Sequence, residues 1–308
     1  ITGNTSYYDG GGVINFNTFN ISGGTITGNT AEDGTENVYL PSGKTITVES
    51  TPAAGSEIGV TTEGIPTADS PIDITTDYNG DASCFKSDNT AYTVIKAEGN
   101  TPAQLSVALS PWKQLQADMA AGGSITLTQN VTAEADDTAL VVPEDKTVTL
   151  DLNGYTIDRA LTAPAEDGSV IFNYGTLTIK DSGTGGKITG GNNNGGGGGV
   201  YNTGATLNMS GGTISGNKAE FGAGVALYLK STFNMSGGAI SGNTAFTNAG
   251  GVHIASGTFN MSGGTITGNT SYYDGGGVLN YDTFNMSDGN ITGNTSYYDG
   301  GGVINFNT

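Results

Sequence analysis

The side chains on which most catalysis depends are scarce in this chain of 308 residues. His253 is its one histidine and Cys84 its one cysteine, so the sequence offers no Ser-His-Asp triad and no metal site built from histidines and cysteines. A single histidine with no nucleophile or second imidazole beside it is expected to be solvated or to lie in a turn. The sequence therefore predicts no catalytic residues, no disulfide within the chain and no metal site.

Carboxylates are the remaining candidates, because polysaccharide hydrolases work with a pair of them. Asp151, Asp158 and Asp167 lie around Arg159, the one arginine of the chain. However, Asp151 opens an Asp-Leu-Asn-Gly segment that is typical of a turn. A lyase for acidic polysaccharides would also need a basic groove, which nine scattered lysines do not form. The chain is therefore predicted not to be an enzyme.

Two of the three Tyr-Tyr-Asp segments lie 25 residues apart and are the strongest candidates for a binding surface, while the third, at residues 7–9, repeats the last of them after 290 residues. Side by side they would form a column of rings and carboxylates, able to stack on sugars, to bind a neighbouring fibril or to hold Ca²⁺. A column that stacks only on itself and binds nothing is the favoured alternative, and no other cofactor is expected. The candidate residues are Tyr272, Tyr273, Asp274, Tyr297, Tyr298 and Asp299.

Charge and hydropathy exclude two classes of partner. Ten Lys and Arg against 29 Asp and Glu give a formal charge of −19, and such a chain repels both nucleic acid and anionic lipid surfaces. No run of about 18 to 20 apolar residues is present, so the sequence predicts no membrane span in this segment. The sequence opens within a repeat and without a signal sequence, so any secretion signal is expected to lie outside these residues.

The elements that would position these side chains are set by a repeat of about 25 residues. Segments of the type Phe-Asn-Met-Ser begin at Leu207, Phe233, Phe259 and Phe284, and each precedes an Ile-Ser/Thr-Gly-Asn segment and then a Gly-rich segment ending in Val. These segments are short, alternate polar with apolar residues and end in glycine, as strands do. Three such strands bury their apolar side only when successive repeats stack. The sequence predicts an all-β fold, a right-handed parallel β-helix (solenoid) with coils of about 25 residues.

Stacking in register would place equivalent side chains of successive coils about 4.8 Å apart. The Phe and Met side chains of the Phe-Asn-Met segments then face the core, and the asparagines form ladders of hydrogen-bonded amides. One predicted ladder contains Asn208, Asn234, Asn260 and Asn285, and a second contains Asn217, Asn243, Asn269 and Asn294.

The segments 1–18 and 291–308 are identical and lie 290 residues apart. Residues 19–24 follow the first copy with the sequence that the next coil would require after the second. This pattern indicates either a covalent tandem array of units of about 290 residues or subunits that stack head to tail. A third interpretation, in which residue 1 opens an ordinary 25-residue repeat, is less favoured.

Both favoured interpretations predict the same junction between successive units. Phe284 of one copy would stack on Phe19 of the next, and Asn285 would continue its ladder through Asn20. Such a contact joins two different surfaces and propagates as a filament unless it closes into a ring.

One helix is predicted, directly before the first regular coil. Ser110 has the character of an N-cap, Pro111 suits the first helical position, and Gly122 ends the helix. Its apolar stripe, which we expect to cover the open end of the solenoid, contains Trp112, Leu115 and Met119.

The repeats also predict how the chain is organised. The segment 1–48 would hold the last coils of a β-helix, continuing the coils at 284–308 of a preceding unit or subunit. We expect 49–100 to form the C-terminal end segment of that unit, 101–123 a linker and the capping helix, and 124–308 the β-helix.

The segment Ile240-Ser241-Gly242-Asn243, followed by Gly250-Gly251-Val252, resembles the repeats of chlamydial polymorphic outer-membrane proteins. Over residues 200–308 and 1–40 the chain looks like a secreted bacterial right-handed β-helix surface protein with a pectate-lyase-like solenoid. This resemblance implies an extracellular or cell-surface structural protein that forms a fibre, stalk or adhesin. Its partners would be copies of itself, surface glycans, or a host or neighbouring cell. The alternative is a carbohydrate-binding or carbohydrate-active β-helix similar to polysaccharide lyases and hydrolases.

Overall fold

The computed structural model describes residues 1–68, 70–107 and 109–306. Residue 69, in the predicted end segment, residue 108, in the predicted linker, and residues 307 and 308, at the end of the predicted β-helix, lie outside the described residues. The chain divides into two compact units, 1–109 and 110–308, each with its own hydrophobic core. They are called the first and the second unit below.

The first unit is built from short strands, most of them paired in parallel. Its strands are β1 (Val13–Ile14), β2 (Phe19–Ile21), β3 (Thr25–Ile26), β4 (Thr30–Ala31), β5 (Gly34–Thr35), β6 (Val38–Leu40), β7 (Ile46–Val48), β8 (Glu57–Thr62), β9 (Ile72–Asp73), β10 (Phe85–Ser87), β11 (Tyr92–Ile95) and β12 (Gln104–Val107).

The pairing of these strands changes along the first unit. Strands β1, β6, β8 and β10 form a parallel sheet in that order, with β3 also on β8, and β2 pairs with β7. Strands β11, β12 and β9 instead form an antiparallel sheet, and β4 and β5 an antiparallel hairpin. Coil stacking thus covers the beginning of this unit, and an antiparallel sheet follows it in the chain.

The second unit begins with a helix and continues as strands. Its elements are α1 (Pro111–Ala121), β13 (Gly123–Thr126), β14 (Val131–Thr132), β15 (Leu140–Val142), β16 (Thr147–Asp151), β17 (Thr156–Asp158), β18 (Ile171–Asn173), β19 (Thr176–Lys180), β20 (Lys187–Thr189), β21 (Asn192–Gly196), β22 (Val200–Thr203), β23 (Thr206–Met209), β24 (Thr213–Ser215), β25 (Lys218–Phe221), β26 (Val225–Tyr228), β27 (Ser231–Met235), β28 (Ala239–Ser241), β29 (Thr244–Asn248), β30 (Val252–Ile254), β31 (Gly257–Thr267), β32 (Thr270–Ser271), β33 (Val278–Asn280), β34 (Thr283–Thr292), β35 (Thr295–Ser296) and β36 (Val303–Asn305).

Helix α1 covers one end of this unit, as predicted. The Ser110 Oγ accepts a hydrogen bond from the Lys113 N–H at 3.3 Å, and the Gly122 N–H donates to the Asp118 carbonyl. The side chains of Trp112, Leu115 and Met119 are buried in the core of the solenoid. The Trp112 indole also donates from Nε1 to the Thr138 carbonyl at 2.9 Å.

The strands of the second unit stack into parallel ladders, because each coil repeats the same alternation of buried and exposed residues. One ladder runs β13-β16-β19-β23-β27-β31-β34, a second β14-β17-β20-β24-β28-β31, a third β21-β25-β29-β32-β35, and a fourth β15-β18-β22-β26-β30-β33-β36. Strands β31 and β34 are long enough to pass through the corner between the first and second ladders. The fold is a parallel β-solenoid, as the sequence predicted.

The register agrees with the predicted repeat. In the regular coils, paired residues of the first ladder are 26, 26 and 25 positions apart. The corner glycines are required by close approach, because a Cβ at Gly250 would lie 2.6 Å from the Gly276 carbonyl oxygen. Coils of nearly constant length therefore keep equivalent side chains in columns.

Candidate functional site

The two Tyr-Tyr-Asp segments lie side by side on the surface of adjacent coils. The rings of Tyr272 and Tyr297 are 5.6 Å apart between centroids and nearly parallel, and those of Tyr273 and Tyr298 are 5.2 Å apart. All four side chains are exposed. The structure therefore brings the predicted aromatic column together, with its rings stacked along the direction of coil stacking.

A shallow apolar groove follows this column across three coils. Phe246, in the preceding coil, is also exposed at 44 %, so the row of rings begins one coil earlier than the sequence analysis placed it. The Tyr272 and Tyr297 side chains are 54 % and 75 % exposed, so part of each ring remains accessible to a ligand. The groove has a volume of about 400 Å³ and is lined by Thr244, Ala245, Phe246, Thr270, Ser271, Tyr272, Thr295, Ser296 and Tyr297.

The two aspartates of these segments take part in a backbone-linked column. The Asp274 N–H donates to the Asn248 Oδ1 at 2.9 Å, and the Asp299 N–H donates to the Asp274 Oδ1 at 3.2 Å. The Asn248 and Asp274 side chains therefore bind backbone N–H groups of the next coil, at the corner where each Tyr-Tyr-Asp segment is followed by glycines. Among the described residues, no group of three His, Cys, Asp or Glu side chains is placed to hold a metal ion.

The predicted outer asparagine ladder and the phenylalanine stack beside it are both present. The Nδ2 of each asparagine donates to the Oδ1 of its equivalent in the preceding coil at 2.9 Å, from Asn285 back to Asn208. On the core side, Phe233 and Phe259 stack at 4.7 Å, and Phe259 and Phe284 at 5.0 Å. The Phe-Asn-Met segments thus carry an amide ladder on one face and a ring stack on the other.

The second predicted ladder is buried and runs in the opposite sense. The N–H and the Nδ2 of Asn243 both donate to the Asn269 Oδ1, while the Asn243 Oδ1 accepts the same two bonds from Asn217. Asn243 Nδ2 also reaches the Ile214 carbonyl of the preceding coil at 3.0 Å. Each asparagine of this column is therefore fully hydrogen-bonded only when it has a neighbouring coil on both sides.

The coil from β34 to β36 illustrates what a missing neighbour does. Met286 is 45 % exposed although its partner Met261 is 1 % exposed, and Val303 is 39 % exposed although Val278 is fully buried. Met286 was predicted to face the core, and both side chains lie in columns whose preceding members are buried. Their outer side is open because β34 pairs with β31 alone among the described strands.

The predicted junction residues lie on open strand edges of the two units. Phe284 and Asn285 lie on β34, and Phe19 and Asn20 lie on β2, which pairs in register with β7 on one side. Phe19 and Phe284 are each half-buried. Among the described strands, β2 pairs with β7 alone and β34 with β31 alone, so each strand has one unpaired edge.

The expectation for His253 is wrong. Its side chain is 6 % exposed, in the middle of β30, with its ring 5.6 Å from that of Phe221 and 5.9 Å from those of Tyr228 and Tyr281. Burial lowers the pKa of the imidazole to about 4, and its Nδ1 has no hydrogen-bond partner. His253 is therefore neutral at pH 7 and packs as an aromatic side chain, because the strand places it between the rings of adjacent coils.

The carboxylates considered for catalysis have structural partners. Asp151 is buried, accepts hydrogen bonds from the Ser182 and Asn153 N–H groups and pairs with Lys180 at 3.1 Å. These bonds, led by that from Ser182, lower the pKa of Asp151 to about 2. It therefore stays ionised near neutral pH and fixes the turn that the sequence predicted.

Asp158 and Asp167 bind different partners near the end of the solenoid that α1 covers. The Asp158 Oδ1 accepts a hydrogen bond from the Ala160 N–H at 2.8 Å. The Asp167 carboxylate lies 3.5 Å from the buried Arg159 guanidinium, which also packs 5.7 Å from the Trp112 ring. Burial lowers the pKa of Arg159. These contacts tie the capping helix to the first coils.

A second row of rings, on the outer face of the fourth ladder, was not predicted. Phe172 and Tyr201 are 5.3 Å apart, and Tyr201 and Tyr228 are 5.0 Å apart. Burial raises the pKa of Tyr228 to about 12. An alignment of the outward-facing positions of successive strands would have revealed this row. The coils here are longer than 25 residues, so the 25-residue repeat does not bring these aromatic residues into alignment.

The first unit contains a larger cleft that the sequence analysis also did not predict. It has a volume of about 900 Å³ and lies between β10 and β11. Lys86 and Lys96 line it together with Asp81 and Glu98, and the Lys96 ammonium is held by the Ala97 and Gly99 carbonyls. No repeat covers this part of the sequence, so nothing in it indicated that these side chains converge.

No family model, no curated protein and no solved structure matches the chain. None of the helices among the described residues is long and apolar enough to cross a membrane.

Proposed function

We propose that the chain is a structural protein that builds an extracellular fibre, stalk or adhesin by stacking units of about 290 residues in tandem or head to tail. Its main partner is a further copy of the same solenoid. The observation that carries the proposal is the identity of residues 1–18 and 291–308 together with the open edges of β2 and β34. The extracellular location rests on the resemblance of the repeats to those of surface proteins.

The distribution of contacts along the solenoid supports this role. Side chains that could serve chemistry, including Asp151, Arg159 and His253, are engaged in turns, in the capped end and in ring packing. The repeated side chains form continuous columns of amides and rings, which gain stability with every added coil. We therefore propose a non-enzymatic protein whose function is to extend the solenoid.

Sedimentation velocity over a range of concentrations tests this proposal, with a variant that blocks the open edge. Met286→Lys keeps an exposed ammonium in the isolated chain, but an added coil would bury that charge without a partner. The wild-type chain is expected to form species larger than one chain, and Met286→Lys to stay monomeric.

Leu229→Lys is the matched control, since Leu229 is 74 % exposed and lies in the corner between β26 and β27, away from the β34 edge. This variant should assemble as the wild type does. Wild-type protein that sediments as a monomer at every concentration would contradict the proposal.

The second candidate function is binding of a carbohydrate, favoured by the groove beside the aromatic column. Partly accessible ring faces suit stacking on sugar rings, and the threonine and tyrosine hydroxyls along the groove suit sugar hydroxyls. The negative charge of the chain favours a neutral glycan. Titration calorimetry with neutral oligosaccharides should show binding that Tyr272→Ala abolishes and Leu229→Ala leaves intact. Absence of heat with the whole oligosaccharide panel would eliminate this candidate.

A further inference from the structure

We infer that the groove beside the aromatic column binds an unbranched neutral glycan lengthwise, with successive sugars on successive coils. This rests on the second candidate function and specifies the form of its ligand and the direction in which the ligand lies. The groove is lined by equivalent residues of three successive coils. Its long axis therefore follows the direction of coil stacking.

Each coil contributes the same three positions to the groove. In the middle coil, Thr270 and Tyr272 are exposed on the outer face, and Ser271 between them is buried. Thr270 pairs with Thr244 of the preceding coil and with Thr295 of the following one. A row of threonines therefore forms one wall of the groove, and a row of aromatic rings forms the other.

The hydroxyl groups of these rows are available to a ligand. Thr244, Thr270 and Thr295 are all exposed. Among the described residues, no hydrogen bond engages the hydroxyls of these threonines or of Tyr272. One hydroxyl and one ring thus recur with every coil, about every 4.8 Å. A ligand that uses each of these sets must itself repeat along its length.

The chemistry of the lining favours a neutral sugar polymer. None of the described residues that line the groove is charged. Strands β29 and β32 have neighbours on both sides in the third ladder, so a peptide lying on them would find no free backbone partner. Sugar hydroxyls both donate and accept hydrogen bonds, as threonine and tyrosine hydroxyls do, and the apolar face of a sugar packs on an aromatic ring. A linear glycan offers both groups in every unit.

The groove begins at the coil of β29, because the preceding coil lacks both features. Lys218 pairs with Thr244 there, and Glu220, two residues further on, takes the place of Phe246. An ammonium and a carboxylate thus stand where the later coils have a hydroxyl and a ring. We therefore place the glycan on the coils of β29, β32 and β35, about 10 Å from the first to the third.

Titration calorimetry with unbranched oligosaccharides of increasing length tests this direction. The probes are cello-, manno-, xylo- and malto-oligosaccharides, from single sugars to tetrasaccharides. Each coil adds about one hydrogen bond and one ring contact, so the affinity for a series that binds should rise about tenfold with each sugar up to the trisaccharide. A single sugar that binds as tightly as the trisaccharide would place the ligand across one coil. That result would overturn the lengthwise arrangement and leave carbohydrate binding intact.

Two variants show which coils the bound glycan reaches. Phe246→Ala removes the first ring, so it should weaken binding of the trisaccharide about tenfold but that of the disaccharide, which can still use the other two coils, only about twofold. Tyr272→Ala interrupts the row in the middle and should abolish binding of both. Equal losses of disaccharide and trisaccharide affinity in Phe246→Ala would contradict the lengthwise arrangement.

A double variant of the preceding coil should lengthen the groove. Lys218→Thr with Glu220→Tyr supplies that coil with the same hydroxyl and ring and leaves the net charge of the chain unchanged. With folding verified by circular dichroism, the tetrasaccharide should bind this variant about tenfold more tightly than wild type, and the trisaccharide only about twofold more tightly. A tetrasaccharide affinity equal to that of wild type would overturn the lengthwise arrangement alone. Absence of heat with every series would overturn both this arrangement and the second candidate function.

Discussion

Replacing Phe259 by alanine should destabilise the second unit about twice as much as the same change at Phe284. Phe259 is fully buried and has a stacked ring on each side, at 4.7 Å and 5.0 Å. Loss of such a side chain costs about 3 to 5 kcal/mol in the free energy of unfolding. Phe284 is half-buried and has one described ring neighbour, so about 1.5 to 2.5 kcal/mol is expected there.

Urea unfolding followed by the fluorescence of Trp112 measures this difference. Trp112 is the one tryptophan and is fully buried at the capped end of the second unit, so its emission reports on that unit. The measurement is made on the monomer, at a concentration below any assembly. Equal destabilisation by the two variants, or less than about 1 kcal/mol at Phe259, would refute the argument that each coil gains stability from both of its neighbours.

Three further predictions concern pH, the capped end and activity. The unfolded His253 imidazole takes up its proton near pH 6.5 and the folded one only near pH 4. The buried neutral ring therefore makes its full contribution to the free energy of unfolding above pH 6.5, and this free energy falls by roughly 3 kcal/mol as the pH drops to 4. Unfolding curves at both pH values should show this fall for wild type, and a His253→Leu variant with the same pH dependence would contradict it. Trp112→Phe removes the hydrogen bond to Thr138 and part of the core, and should lower stability by about 1 to 3 kcal/mol in thermal unfolding followed by circular dichroism; an unchanged melting temperature would mean that the helix does not stabilise the coil beneath it. Neutral and acidic polysaccharides should remain uncleaved by the purified chain, and turnover that disappears in Asp151→Asn or Asp158→Asn would show that the chain is an enzyme after all.

The repeated coils could be predicted from the sequence because each structural feature arises from a motif that recurs in several successive repeats. The asparagines at 234, 260 and 285 have the same spacing as the phenylalanines one position before them, and stacking is the arrangement that uses both. The capping helix was predictable from purely local signals, an N-cap serine followed by proline. These features depend on neighbours in sequence or on an exact repeat, so no tertiary information was needed.

The remaining features depend on which side chains meet from coils of different length. His253 was expected to be solvated or in a turn because no nucleophile or second imidazole lies beside it in the sequence, but the rings of Phe221, Tyr228 and Tyr281 cover it. The antiparallel sheet of β9, β11 and β12 lies beyond the last recognisable repeat, so periodicity gave no indication of it. Exposure of Met286 likewise depends on whether a further coil is present, which the residue's own sequence context does not reveal.

The central claim, that copies extend one another's solenoid, is tested most directly by electron cryo-microscopy of the assembled chain. The measurement is the distance from Phe284 of one copy to the nearest Phe19 of another. Stacking in register predicts about 4.8 Å, with the asparagine ladder continuing from Asn285 to Asn20. Particles of single-chain length, or copies whose Phe284 and Phe19 lie more than about 10 Å apart, would contradict the account.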